Sequence, residues 1–195
     1  RALAARKSEL RRDVVFVAFS GEEAGLLGST ALTRRPPAGL EAGNEIAMFN
    51  LDMVGRLREN RLAVQGVDSA AEWRAMVEPA CDRARLECTE GGDGYGPSDQ
   101  TPFYAGGVPV LFFFSGAHSD YHKPSDTADK INAGGGARIA ALVEDLVVGT
   151  AAREQKLAYH AVAAPAPSGD VRSFGASLGT VPDYVGTEDG RPGVL

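Results

Sequence analysis

The sequence lacks the features that mark several large classes of protein. Its 195 residues include two cysteines, Cys81 and Cys88, which are too few for a disulfide framework and match no metal motif. No apolar run approaches the roughly 20 residues that a membrane-spanning helix needs. Acidic side chains outnumber basic ones, 26 to 20, for a formal net charge of −6. Because nucleic-acid binding needs concentrated positive charge, this balance argues against a nucleic-acid partner.

Two further absences concern cofactors and the chain ends. No apolar run is followed by the G-x-G-x-x-G pattern of a dinucleotide-binding domain. The chain starts without Met or a signal-peptide region and stops as an apolar run begins, so we expect a fragment of a longer protein. The composition itself, 44% hydrophobic and 24% charged, is that of a globular protein with a core.

Alternating strand and helix patterns predict an α/β fold. Continuous apolar runs predict buried strands at residues 13–19, 45–52, 61–67 and 108–114. Helical patterns occupy residues 22–35 and about 69–85, a short helix follows a glycine-rich loop, and a last long helix has an apolar stripe of Ile139, Leu142, Val143, Leu146 and Val147. Because the strands are apolar along their whole length, we expect a mostly parallel central sheet within a layered fold.

Polar side chains follow three of the predicted strands. In mostly parallel sheets, sites lie beyond the carboxyl ends of the strands. Glu22 and Glu23 follow the first strand, Asp52 ends the second, and the loop after the last strand contains His118, Asp120 and His122. We therefore expect carboxylates and an imidazole on one rim of the sheet.

Each of these residues also has a plainer interpretation. Ser20 and Glu23 have the spacing of a helix capping box, Asp52 could cap a turn, and His122 could be an ordinary loop histidine. Taken together, Glu23, Asp52 and His122 supply the oxygen and nitrogen donors that zinc accepts. Glu22 would then be free to act as a base on water. The combination favours metal-assisted hydrolysis.

Four ordered segments carry a family resemblance. FSGEEAGLLGS, NLDMVGR, GYGPSDQTPFYAGGVPVLFFFSG and DYHKPSDT resemble motifs of the two-zinc aminopeptidases of metallopeptidase family 28, which includes the bacterial leucyl aminopeptidases and aminopeptidase Y. The resemblance covers about residues 13–153. It implies a three-layer zinc-peptidase fold of the phosphorylase/hydrolase-like type, hydrolysis of N-terminal peptide bonds and two bound zinc ions.

The resemblance also implies individual roles. Glu22 resembles the family's general base, and Glu23 and His122 resemble ligands of one zinc. Asp52 resembles a ligand of the other zinc. Tyr95 is similar to the family tyrosine that hydrogen-bonds the developing oxyanion, although it could simply be a loop aromatic that packs on the sheet.

Four other polar residues near these motifs carry less information. Asp99 and Asp126 are candidates for orienting a ligand imidazole through a hydrogen bond. His118 and Asp120 receive no assigned role.

The sequence departs from the family pattern at its start. The family's remaining ligands, a histidine and a metal-bridging aspartate, lie upstream of the SGEE strand, and residues 1–12 contain neither. We interpret residues 1–160 as the C-terminal part of a zinc-peptidase catalytic domain, incomplete at its N-terminus. Residues 161–170 would be a linker, and residues 171–195 resemble the opening strands of a PDZ-like domain. We expect this chain alone to bind metal weakly and to show negligible turnover.

Two functional hypotheses follow. The first is a zinc aminopeptidase acting on peptides, exported to the periplasm or secreted by a bacterium; the abundance of Ala, Gly and Arg favours a GC-rich bacterial source. The second is an inactive scaffold or peptide-binding module that keeps the peptidase fold.

Overall fold

The central feature of the molecule is a four-stranded sheet. The structure, a computed structural model, describes residues 2–40 and 44–163. The strands lie in the order β1-β4-β2-β3. They are β1 (Met48–Asp52), β2 (Arg61–Gln65), β3 (Glu87–Gly91) and β4 (Val110–Phe114). β1 is parallel to β4 and β2 to β3, whereas β2 and β4 are antiparallel. The predicted α/β fold with a mostly parallel sheet is confirmed.

Helices cover the sheet. They are α1 (Ala2–Ala5), α2 (Leu27–Arg34), α3 (Trp73–Ala84), α4 (Gln100–Ala105) and α5 (Ala133–Ala151), with 3-10 turns at Lys7–Glu9, Val67–Ser69 and Ala128–Lys130. The apolar stripes of α3 and α5 pack with Leu111 and Phe113 of β4 in the main core. Val110 of the same strand instead packs against α4. β4 therefore separates two layers of helix, as expected for a strand buried on both faces.

The first predicted strand is wrong. Residues 13–19 form no strand, and Val15, Phe16 and Val17 are 53%, 81% and 48% exposed. Only Phe19 at the end of this segment packs inward, with its ring 6.0 Å from that of Phe103. Within the described residues, no strand pairs with this segment. Its apolar side chains therefore have no second layer to cover them.

Neither strand β3 nor a disulfide between the two cysteines was predicted from the sequence. β3 is an edge strand of sequence ECTEG in which no residue is buried, so it has no apolar run to reveal it. Cys81 of α3 and Cys88 of β3 form a disulfide, with Cα atoms 6.2 Å apart. The pair ties the last turn of α3 to the sheet edge. Because the sequence has two cysteines, this one bond is the whole of its disulfide bonding within the chain.

The segment after α5 returns across the domain. Tyr159 forms an isolated bridge with Ala70, and its hydroxyl donates to the Tyr104 carbonyl at 2.7 Å. The buried Tyr104 hydroxyl donates to the His160 carbonyl at 2.9 Å and accepts from the Val162 amide at 3.0 Å. We call residues 157–163 the C-terminal strap. Most of the predicted linker and all of the PDZ-like segment, residues 171–195, lie outside the described residues.

No helix in the described ranges is both long enough and apolar enough to cross a bilayer.

Candidate active site

A tight turn before α2 presents Glu22 and Glu23. The Glu22 carbonyl accepts from the Leu26 amide at 2.8 Å, and the Ser20 carbonyl accepts from the Gly28 amide at 3.0 Å. A Cβ at Gly28 would lie 2.7 Å from the Ser20 oxygen, so this close approach requires glycine. The helix begins at Leu27 with no side-chain cap. The capping-box interpretation of Ser20 and Glu23 is therefore wrong.

Asp52 is held by a buried polar network at the end of β1. Its Oδ2 accepts a hydrogen bond from Ser98 Oγ at 2.8 Å. Asn50 Nδ2, two residues earlier on the same face of the strand, donates to both Ser98 Oγ and Gln100 Oε1 at 2.8 Å. Asn50, Ser98 and Gln100 are all buried. The start of α4 thus fixes the orientation of the Asp52 carboxylate.

His122 meets Glu23 across the rim. The distance from His122 Nε2 to Glu23 Oε1 is 2.6 Å. The His122 ring stacks on that of Tyr121, with centroids 3.7 Å apart. The backbone of His122 has a φ of +54°, a left-handed conformation that non-glycine residues seldom adopt. The structure thus brings together two residues that lie far apart in the sequence.

Negative charge accumulates around Glu22. The pKa of the Glu22 carboxyl is raised, mainly by burial and then by the charges of Glu23, Asp52 and Asp99, with His122 opposing the shift. Asp99 is buried, and its Oδ1 has no hydrogen-bond partner within the described residues. A cluster of carboxylates that includes an unpaired buried oxygen is a chemical environment that a divalent cation would stabilise.

The donor types fit zinc, and the described residues supply part of a coordination sphere. Glu23 and His122 form one pair of donors, and Asp52 lies beside its own partner Ser98. Within residues 2–40 and 44–163, no group of three or more His, Cys, Asp or Glu side chains could hold a metal ion.

Two tyrosines lie near the rim in different settings. The Tyr95 ring packs edge-on against the Tyr104 ring at 4.8 Å, as the plainer interpretation of a packing aromatic expects. Tyr121, which the sequence reasoning missed, stacks on the His122 ring. Burial raises its phenol pKa, and the charges of Glu23, Asp52 and Glu22 raise it further. Its only sequence signal is its position beside His122.

The remaining candidates lie around Arg56. Asp126 Oδ1 contacts Arg56 Nη1 at 2.6 Å, and its Oδ2 lies 3.9 Å from His118 Nε2. Asp126 was expected to orient a ligand imidazole, but its partner is an arginine instead. The reason is that the Asp126 carboxylate lies on the side of the loop that faces the segment after β1. Asp120, which had no assigned role, also contacts Arg56.

Comparisons with known proteins identify a family. The sequence model of Peptidase family M28 matches residues 1–147. A probable leucine aminopeptidase of Arthroderma otae is 32% identical over 120 residues, which are 58% of this chain and 32% of the relative. The chain thus spans about a third of the length of that curated relative.

Solved structures show the same similarity. The aminopeptidase from Aneurinibacillus sp. strain AM-1 is 30% identical, with a TM-score of 0.59 over 74% of this chain and 35% of that one. BSAP, a zinc aminopeptidase from Bacillus subtilis, is 27% identical, with a TM-score of 0.58 over 71% of this chain and 36% of that one. LapB from Legionella pneumophila is 19% identical with a TM-score of 0.63, covers 78% of this chain and 43% of that one, and supports the fold alone.

Proposed function

The chain belongs to peptidase family M28, and on that basis we propose that the whole protein is a zinc-dependent aminopeptidase that hydrolyses N-terminal peptide bonds. The observation that carries the proposal is the meeting of Glu23 and His122 at 2.6 Å on the rim where Glu22 and Asp52 also lie. The aminopeptidases among the similar proteins support it as well.

The proposed roles follow from the chemistry of each side chain. Glu23 and His122 would hold one zinc ion and Asp52 a second. Zinc, when bound, supplies a Lewis acid that activates water and polarises the peptide carbonyl. Glu22 would accept the proton of the attacking water and pass it to the leaving amine.

The base assignment is tested with Glu22→Gln in the full-length natural protein. We expect kcat on an aminoacyl-p-nitroanilide to fall by roughly 10²- to 10⁴-fold, because the variant cannot accept a proton. Zinc content should be unchanged, since Glu22 is not proposed as a ligand. Glu87→Gln, at an exposed carboxylate of β3, is the matched control. Wild-type activity in Glu22→Gln would reject the mechanism.

The oxyanion donor is tested with a second pair of variants. Tyr95 is the predicted donor, and Tyr121 is a second candidate because its ring stacks on that of His122, which contacts Glu23. Removing the Tyr121 hydroxyl (Tyr121→Phe) should lower kcat by about 10²-fold, the size of effect known for a lost oxyanion donor. Tyr95→Phe should have a smaller effect, because its ring packs against Tyr104. A larger loss in Tyr95→Phe would reverse the two roles.

The second functional candidate is a scaffold or peptide-binding module without catalysis, possessing the peptidase fold and a PDZ-like segment at residues 171–195. Its support is the resemblance of residues 171–195 to the opening strands of a PDZ-like domain. Calorimetry of the full-length protein separates the two candidates. Tight binding of two zinc equivalents with peptide hydrolysis supports the enzyme, and peptide binding without zinc uptake supports the scaffold.

We also propose that the protein is exported by a bacterium. The Cys81–Cys88 disulfide supports export, because disulfides form and persist in oxidising compartments. Fractionation of the source cells, with thiol labelling of each fraction, tests this. Recovery from the cytosol with both thiols reduced would reject it.

A further inference from the structure

Arg56 connects the segment after β1 to the loop after β4. Its Nη2 lies 2.6 Å from Asp120 Oδ2, and its Nη1 lies 2.6 Å from Asp126 Oδ1. The Arg56 side chain is only 14% exposed. In the sequence, Asp120 and Asp126 flank His122, so one guanidinium contacts the loop on both sides of the histidine. We call residues 115–127 the histidine loop.

Other contacts join the same two segments. Arg58 Nη2 donates to the Ala117 carbonyl at 2.5 Å. The Ser115 hydroxyl donates to the Met53 carbonyl and accepts from the Arg56 amide. These contacts lie at the start of the histidine loop. Arg56 is therefore the residue in this segment whose side chain reaches the part of the loop around His122.

The two carboxylates depend on Arg56 to different degrees. Asp120 Oδ1 also accepts from Ser125 Oγ and Lys130 Nζ, both at 2.7 Å. Besides Arg56, Asp126 has the imidazole of His118 nearby, with 3.9 Å between Nε2 and Oδ2. Loss of Arg56 would therefore leave Asp120 paired and release Asp126. The part of the loop after His122 would lose its attachment to the segment after β1.

The conformation of His122 explains why the loop must be held. Its φ of +54° costs free energy for a residue with a side chain, and such a conformation persists only where surrounding contacts enforce it. A guanidinium can enforce it because its planar fork contacts two carboxylates at once, whereas a lysine ammonium acts as a single point charge.

We propose that Arg56 is a positioning residue that fixes the histidine loop and so places His122 against Glu23. Arg56 follows Asp52 closely in the chain, and its contacts therefore also set the Glu23–His122 pair relative to Asp52. The effect on zinc affinity rests on the proposed function. The effect on the loop does not.

The experiment compares Arg56→Met and Arg56→Lys in the full-length natural protein. Arg83→Met is the matched control, because it removes an exposed arginine whose Nε lies 2.7 Å from Asp145, away from the site. Two measurements are made without metal: amide hydrogen exchange of residues 118–126, and the ring ¹⁵N signals of His122. A third measurement is zinc affinity, by competition with a chromogenic chelator.

In Arg56→Met we expect exchange at residues 118–126 to accelerate by at least about 10-fold, while the amides of α3 and α5 exchange as in wild type. The His122 ring signals should shift towards those of a solvent-exposed imidazole. Zinc affinity should fall by roughly 10- to 100-fold, as for other residues that orient a metal ligand. Arg56→Lys should be intermediate, and Arg83→Met should match wild type.

Wild-type loop exchange and wild-type His122 signals in Arg56→Met would overturn the proposal. If that variant does not fold, Asp126→Asn decides, because it removes one contact and leaves Arg56 paired with Asp120. It should accelerate exchange after His122, and unchanged exchange there would overturn the proposal. Failure of wild type to bind zinc would count against the proposed function, and the two metal-free measurements would still decide the role of Arg56.

Discussion

Two apolar segments of similar composition have opposite environments in this molecule. Residues 13–19, DVVFVAF, contain an 81% exposed Phe16, whereas every residue of β4, VLFFF, is buried. β4 has a hydrogen-bonded strand on each side and helices on both faces. Residues 13–19 have no paired strand among the described residues. The difference shows that an apolar run can form a buried strand, but does so only where neighbouring strands pair with it.

The same contrast extends to the site. Asp52 ends β1 and His122 lies in the loop after β4, and these two strands are adjacent in the sheet. Buried side chains and Arg56 hold the two residues in place. Glu22 and Glu23 follow the exposed segment, and the local backbone hydrogen bonds of a turn hold them. Contacts with the core therefore position Asp52 and His122, whereas Glu22 and Glu23 are positioned mainly by the hydrogen bonds of their own turn.

The largest expected effect comes from comparing one phenylalanine in each segment. Phe113→Ala removes a fully buried ring of β4 and should lower the free energy of unfolding by about 3–5 kcal/mol. Phe16→Ala removes an exposed ring and should change it by no more than about 0.5 kcal/mol. Urea denaturation measures both. A loss in Phe16→Ala as large as that in Phe113→Ala would mean that residues 13–19 are buried in solution. It would contradict the contrast in burial between this segment and β4.

The second prediction concerns the Cys81–Cys88 disulfide, which joins α3 to β3. Cys81→Ala with Cys88→Ala should lower the free energy of unfolding by about 2 kcal/mol, since the bond closes a short loop in the unfolded chain. Hydrogen exchange should accelerate in α3 and β3 and stay unchanged in the Glu22 turn. Wild type unfolded with reductant is the control and should lose a similar amount. Faster exchange in the turn would show that the two halves are coupled.

The smallest effect concerns His118, which lies beside the Arg56 contacts. Burial lowers its pKa, and the charge of Arg56 lowers it further, while Asp126 and Asp120 oppose the shift and Arg58 adds to it. The unfolded chain therefore binds a proton that the folded chain does not as pH falls below about 6.5. Stability should decline below that pH, and the decline should be shallower in His118→Gln. Urea midpoints between pH 7.5 and 5 measure this; identical slopes would contradict it.

Most of the secondary structure could be predicted from the sequence because its patterns are strong. The stripe containing Ile139 and Leu142 predicted α5, and the run ending at Phe114 predicted β4. Whether residues 13–19 pair with another strand depends on long-range contacts, and the composition of the segment does not reveal those contacts. β3 was missed because an edge strand needs no apolar run.

The candidate site was predictable to the extent that strand ends share a rim. The rule holds for Asp52 and His122, which lie at the carboxyl ends of β1 and β4, but not for Glu23, because residues 13–19 form no strand. Glu23 and His122 are neighbours nonetheless, with 2.6 Å between Oε1 and Nε2. Arg56 could not be predicted, because its partners Asp120 and Asp126 are chosen by the path of a distant loop. Tyr121 was missed because the sequence does not show which way its ring points.

The C-terminal strap has a practical consequence for anyone who shortens this protein. A chain cut at Ala151, where α5 ends, would look complete by secondary structure. It would leave the buried Tyr104 hydroxyl without the His160 carbonyl and the Val162 amide, and would uncover the ring against which Tyr95 packs. An expression boundary for this unit therefore belongs beyond Val162, because, within the described residues, contacts that complete the fold come after helix α5.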